Sequence, residues 1–512
     1  MANKKFSDFT LKTDPANVDF LVGYDGTDNV RIDPSNLGGG GGASDLNGLT
    51  DCLVDTASLY VGEVPSGLSG NPQGNTVLGI DAGAALTSGG YNTLIGYLSG
   101  VAINSGNFNI TVGYEAGNNI TSGSDNVAIG RGSLNVTNRS NTVAVGYFTG
   151  ALSSSANATY FGTQAGRANQ SDGHISIGYQ AGYSQTSGGE NTNLGYQAGY
   201  SATTASANTN IGYEAGKNIT GSANTFVGKG SASAGTGGAN NNTALGQNTL
   251  WSITSGYQNT ALGRVAGLNL TSGYDNTLVG YQAGDALTTS ADNTFIGRGS
   301  GTSANPSGTN GKNTGVGRAA LSDLSSGLNN TAMGYNSAPS LSSGSNNVMI
   351  GYQADVSIGS ASNQNSFGYS ASCSANNQVT LGNSSISALR CAVTSITSLS
   401  DERDKSEIKD LEYGLAFVDA LQPREFVWDN RPETRTEFDE EGNETEVEFY
   451  SANKGKKDFG FIAQEVRELD NDTLRLVYSE NEEKLELSYG KLVPILVKAI
   501  QELKEEVELL KS

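Results

Sequence analysis

The sequence predicts an all-β repetitive fibre, wound as a β-roll or β-helix in a parallel homotrimer, followed by a small α+β domain that ends in a coiled coil. Three observations carry this. A glycine preceded by N-T-x-φ returns about every 17 residues, nineteen times from Gly79 to Gly382, a period of the kind that marks stacked arrays. After Leu399 glycine, 69 of 512 residues overall, becomes sparse and charge crowds in. Near the end, Leu496, Ile500, Leu503, Val507 and Leu510 alternate steps of four and three, which is a heptad seam.

Residues 1–37 mix short apolar runs such as Phe20-Leu21-Val22 with Asp-Gly turn signals, as a small β-rich module does. Gly38 to Gly42 are five consecutive glycines and open a flexible linker and transition over 38–70. The first module is therefore expected to be a separate piece.

The shaft is expected over 71–386. In all nineteen repeats the residue before the motif glycine is Leu, Ile, Val, Met or Phe, and three before it stands Thr, Val or Ile except at Asn365. Side chains two apart in a strand share a face, so these two positions are expected to form the packed face. The residue between them varies freely (Leu94, Asn193, Phe226, Ser366) and is expected on the open face. Three after each glycine the side chain is always small, as at Ala82, Ala116, Ala165, Ala198, Ala283 and Ala354, which predicts either close backbone approach or a crowded axis where three chains meet. A further apolar residue about seven after the glycine (Leu86, Ile103, Ile120) and Ser-Gly turns complete each unit. One unit cannot bury its own apolar face, so units must stack. At roughly 4.8 Å per layer the stack would reach on the order of 90 Å.

A connector over 387–399 leads to the final domain, 400–512. From Asp401 onward there are 30 acids and 16 bases, so this domain carries most of the net charge of −21. Such a balance repels phosphates, and nucleic acid is not an expected partner. No run of 18 apolar residues occurs, so no membrane insertion is expected. Cys52, Cys373 and Cys391 have no metal or C-x-x-C spacing and read as free thiols. His174 is the sole histidine and reads as a polar residue within a repeat. No metal and no cofactor are expected.

The N-T-x-φ-G-Y-x-A-G units, for example Asn276 to Gly284 and Asn191 to Gly199, resemble the head repeats of trimeric bacterial adhesins and repeats in phage fibres. That resemblance implies β-rolls or β-helices in parallel homotrimers. Tyrosine follows the motif glycine in ten repeats, Tyr97, Tyr114, Tyr179, Tyr196 and Tyr281 among them. Such a row is a candidate glycan contact, because an aromatic ring offers an apolar face and a polar tip. The alternative is packing of these rings between layers or chains.

The strings Ser400-Asp401-Glu402-Arg403-Asp404-Lys405, Gly460-Phe461-Ile462-Ala463-Gln464-Glu465 and Leu496-Val497-Lys498-Ala499-Ile500-Gln501-Glu502-Leu503 together resemble the intramolecular chaperone domain at the C-termini of phage tailspikes and tail fibres, grouped with the S74 self-cleaving peptidases. The resemblance implies a domain that trimerises, templates the folding of the fibre ahead of it, and cuts itself off once as a serine endopeptidase. By that carry-over Ser400 is the nucleophile and Lys405 the base, and the cut falls at Leu399–Ser400 or Ser400–Asp401. The alternative is that Ser400 merely caps a helix whose first turn holds acids. A five-residue step is not a same-face helical spacing, so a working pair requires a segment that is partly loop.

The function expected is that of a phage tail fibre or tailspike. Its N-terminus would join a phage tail or baseplate protein, and its shaft would meet a glycan or protein receptor on the host cell surface. Its place would be the virion, after synthesis in the host cytoplasm. The alternatives are a glycan-depolymerising tailspike and a bacterial trimeric surface adhesin. The first wants paired carboxylates, whereas the shaft acids are scattered singly (Asp81, Glu115, Glu190, Glu214). The second wants export and membrane-anchor segments, which the sequence does not display.

Overall fold

The computed structural model describes residues 21–24, 29–32, 52–390 and 400–511, except 56, 63–64, 70–71, 137, 306–310, 387, 430, 439–443, 451–452, 471–472 and 479–484. Most of the 1–37 module, the glycine run at 38–42 and Leu399 thus lie outside the described residues. The chain forms a parallel β-solenoid of about 18 turns, then a small α+β region ending in a long helix. It divides into two compact units, Met1–Asn276 and Thr277–Ser512.

In the first unit, β1 (Leu21–Tyr24) and β2 (Asn29–Ile32) form an antiparallel pair. The hairpin of β3 (Cys52–Asp55) and β4 (Ser58–Gly62) leads into the solenoid, where β4 pairs in parallel with β5 (Thr76–Gly79). From there one short strand per turn continues to β16 (Thr260–Leu262), equivalent residues facing one another, as in Thr192↔Thr209, Asn193↔Asn210 and Leu194↔Ile211. The motif glycine closes each strand. At Gly79 φ is +140°, and a Cβ there would stand 2.7 Å from the carbonyl oxygen of Gly96 in the next turn. Both the backbone angle and the close approach of layers require glycine.

The packed face is the reverse of the one the repeat pattern predicts. The variable middle residue points inward: Leu94, Thr111, Ala144, Tyr160, Ser176, Asn193 and Phe226 are all buried. The regular residues on either side of it are partly exposed, Leu194 to 42%. Uniformity suggested burial, but a stacked interior does not need uniform residues, because neighbouring layers share its volume. The Tyr160 ring, for instance, spreads over Gly150, where a Cβ would lie 3.0 Å from it, with Ala144 alongside. The small residue after the corner is likewise internal; Ala116, Ala165 and Ala198 are fully buried within one chain. An inter-chain axis at that position is therefore excluded.

The first residue of each N-T pair has a structural task that the sequence reading did not assign. Asn92 donates from its backbone N–H and its Nδ2 to Asn75 Oδ1, at 2.9 and 3.1 Å, and from Nδ2 to the Gly106 carbonyl at 2.9 Å. The pattern repeats through Asn109 and Asn126, and again from Asn208 to Asn276. Each amide is buried and would cost about 1–3 kcal/mol if left unsatisfied, so the ladder fixes which turn sits on which.

Thr142, Ala158 and His174 interrupt that ladder. His174 is 1% exposed, and neither ring nitrogen reaches a hydrogen-bond partner. Burial is the largest influence on its pKa and lowers it from the usual 6.5, with the charge of Asp172 opposing. The unfolded chain then takes up the proton first, so this contribution to stability is whole above about pH 6.5 and is lost as pH falls below it. His174→Asn, which returns an acceptor to the Asn191 N–H, is expected to add about 1 kcal/mol and flatten the acid side of the stability curve. Thermal melts of both chains between pH 5 and 8 check this.

In the second unit, β17 (Thr277–Val279) to β23 (Val379–Leu381) pair with one another in parallel, one short strand per turn, with equivalent residues opposite. Here too the middle residues, Leu278, Phe295, Ala332 and Met349, are buried, and an asparagine ladder runs from Asn293 through Asn313 and Asn330 to Asn347. The α+β region comprises α1 (Leu415–Ala420), β24 (Arg424–Val427), the hairpin β25 (Glu433–Phe438) and β26 (Glu444–Phe449), β27 (Lys457–Gly460), α2 (Ala463–Asp470), β28 (Val477–Tyr478), β29 (Glu486–Leu487) and α3 (Leu492–Lys511). β24 pairs antiparallel with β27. Phe417, Leu421, Val466, Leu476, Val477, Leu492 and Ile495 form its core.

Candidate functional site

The segment from Ser400 to Lys405 is short and polar. Residues 402–404 form one 3-10 turn, and Lys405 leaves it in extended conformation. Ser400 does not cap that turn. Asp401 does, accepting from the Arg403 backbone N–H at 2.9 Å, while the Arg403 guanidinium grips the same carboxylate at 2.6 and 3.0 Å. The guanidinium and the N–H hold the Asp401 carboxyl below its ordinary pKa. The sequence reading placed Asp401 beside the cut or, in the alternative, in the first turn of a helix capped by Ser400, not as the cap itself. Arg403, two residues on, was recoverable as the partner of an exposed acid.

With Asp401 as cap, the turn brings the two ends of the segment together. Lys405 Nζ lies 2.6 Å from Ser400 Oγ and 3.1 Å from the Ser400 carbonyl oxygen. The segment is thus turn plus extended chain, as a five-residue step requires. Both residues are exposed in the single chain. An amine at that distance can take the hydroxyl proton once it is neutral, and a lysine becomes neutral near physiological pH only when burial disfavours its charge.

The other two motifs lie within the α+β region itself. Gly460-Phe461-Ile462-Ala463-Gln464-Glu465 is the junction between β27 and α2. There the Phe461 N–H donates to the Tyr489 hydroxyl at 3.2 Å, and Glu465 receives Arg424 through two bonds of 2.9 and 3.0 Å. The helix α3 has two apolar faces. Leu492, Ile495 and Ala499 pack inward, and Glu502 accepts the Leu415 N–H at 2.7 Å, tying α3 to the start of α1. The heptad residues Leu496, Ile500, Leu503, Val507 and Leu510 are exposed, Ile500 to 66%.

The tyrosine row is also resolved. Tyr97 and Tyr114 lie 5.7 Å apart between ring centroids, Tyr179 and Tyr196 5.2 Å, and Tyr196 and Tyr213 5.0 Å, the last two pairs nearly parallel. Arg131 lies over Tyr114, Lys229 over Tyr213 and Arg298 over Tyr281. The rings spend their faces on one another and on cations, and they stay part-exposed, from 36% at Tyr281 to 47% at Tyr213.

A repetitive solenoid shaft, a small α+β region with a Ser–Lys contact at its head, and a terminal helix with a free heptad seam define a fibre protein that carries an accessory C-terminal domain. The family model described as chaperone of endosialidase, in the peptidase S74 group, matches residues 400–475. With the shaft, this match fits a tailspike-like protein with a C-terminal chaperone domain of that type. No curated protein matches the chain.

Proposed function

We propose that this protein is a trimeric phage tail fibre or tailspike that attaches the virion to a host cell surface. Its C-terminal domain assembles three chains, templates the solenoid and then releases itself by one cut beside Ser400, with Ser400 as nucleophile and Lys405 as base. The observation that carries this reading is the 2.6 Å Ser400–Lys405 contact at the first residue of the stretch that resembles a chaperone of endosialidase. Residues 1–37 would bind a tail or baseplate protein, and the shaft a surface glycan or protein receptor. The part-exposed rings of Tyr97, Tyr114, Tyr179, Tyr196 and Tyr281 are the groups on offer to a sugar. Native mass measurement of the expressed full chain is expected to give three copies; a monomer overturns the assembly on which every other part depends.

A further inference from the structure

We infer that the outer face of the shaft strands, made by the side chains three and one before each motif glycine, is the surface on which copies of this chain meet. The inference rests on the trimer proposed above and assigns its interface. In the first unit this face runs from Thr76 and Leu78 to Thr260 and Leu262, and in the second from Thr277 and Val279 to Val379 and Leu381. Not one of these positions is charged. Leu194, Leu245, Leu262 and Met333 are 42–47% exposed. A parallel sheet is normally covered on both sides, and a row of apolar side chains along every turn exceeds the patch a monomer leaves in water.

The remaining surfaces do not compete. The small residues after each corner face the interior. The tyrosine rings are stacked on one another. The turns expose polar residues such as Thr203 and Thr204. The side chains of the strand face also stay alike from turn to turn while the interior beside it ranges from Ala144 to Tyr160 and Phe226. Packing within one chain does not ask for that uniformity; contact with another regular array does.

The occupant is a parallel copy of the same chain. A partner that covers a row with one member per layer must itself advance one layer at a time, and a second copy has that rise by construction. The exposed heptad residues of α3 are an independent apolar seam of the kind that pairs helices side by side. Helices paired in parallel start the copies level, so like strands lie opposite like strands.

Leu194→Cys and, as control, the exposed turn position Thr203→Cys are to be made in the full chain. Each is treated with a short bifunctional thiol reagent, with the unsubstituted chain setting the background from Cys52, Cys373 and Cys391. Leu194→Cys is expected to give covalent dimers on a denaturing gel at ten times the Thr203→Cys yield or more. If the unsubstituted chain is trimeric yet Leu194→Cys stays at background, or Thr203→Cys links as well, the strand face is not the interface and the inference fails while the trimer stands. A monomeric unsubstituted chain removes both.

Discussion

Ser400→Ala and Lys405→Ala are each expected to leave the full chain intact on a denaturing gel, whereas the unsubstituted protein is expected to shed a fragment of about 112 residues, the length from Asp401 to Ser512. The serine hydroxyl is a weak nucleophile until a base removes its proton, and Lys405 Nζ is the amine at 2.6 Å from Oγ. Loss should be complete rather than partial, because single-turnover cleavage has no second group in this segment to take the role. Lys405→Arg separates chemistry from positioning. The guanidinium keeps a donor toward Ser400 but does not give up its proton, so this variant is also expected to remain whole. Unchanged cleavage in the two alanine variants would sink the pair. Mass spectrometry of the released fragment reads which side of Ser400 is cut.

Cleavage is further expected to depend on assembly. Ser400 and Lys405 are exposed in one chain, and the burial that would let a lysine act as base is expected to come from neighbouring chains. Ile500→Asp with Leu503→Asp places two charges in the exposed seam of α3. The change removes roughly 2–3 kcal/mol of burial per site and chain and sets like charges against one another. The predicted outcome is a monomer by light scattering, with the fragment no longer released. Neither residue belongs to the inward face formed by Leu492, Ile495 and Ala499, so the α+β fold should survive, which far-UV circular dichroism verifies. A monomer that still cuts itself would separate the two events and place the required burial within one chain.

Period and strand placement were legible in the sequence because glycine, φ and Thr recur at fixed offsets, and the heptad seam of α3 because its spacing is unmistakable. Which strand face turns inward was not. Alternation pairs Thr192 with Leu194 and sets Asn193 apart, but it is silent on which set is inside, and Asn193 looked like a surface residue. It is buried, and so is the asparagine that opens each repeat. A single asparagine reads as polar and external; only stacking converts a column of them into mutually satisfied amides. The Ser400–Lys405 contact came from family resemblance, because spacing alone does not foretell that Asp401 rather than Ser400 caps the turn. The clamp of Arg403 on Asp401, which shapes that turn, has no periodic signature.

The close approach of successive layers at the motif glycines has a consequence for how such a shaft can change in length. A glycine that stands against the glycine of the next turn leaves no room for an extra residue within the strand, and a shift of one residue would exchange interior and exterior side chains from there on. The corners do have slack, since spacings range from the 14 residues between Gly368 and Gly382 to the 20 between Gly297 and Gly317. Reach is therefore quantised: the shaft lengthens or shortens by whole turns, and its length is a count of repeats rather than a number of residues.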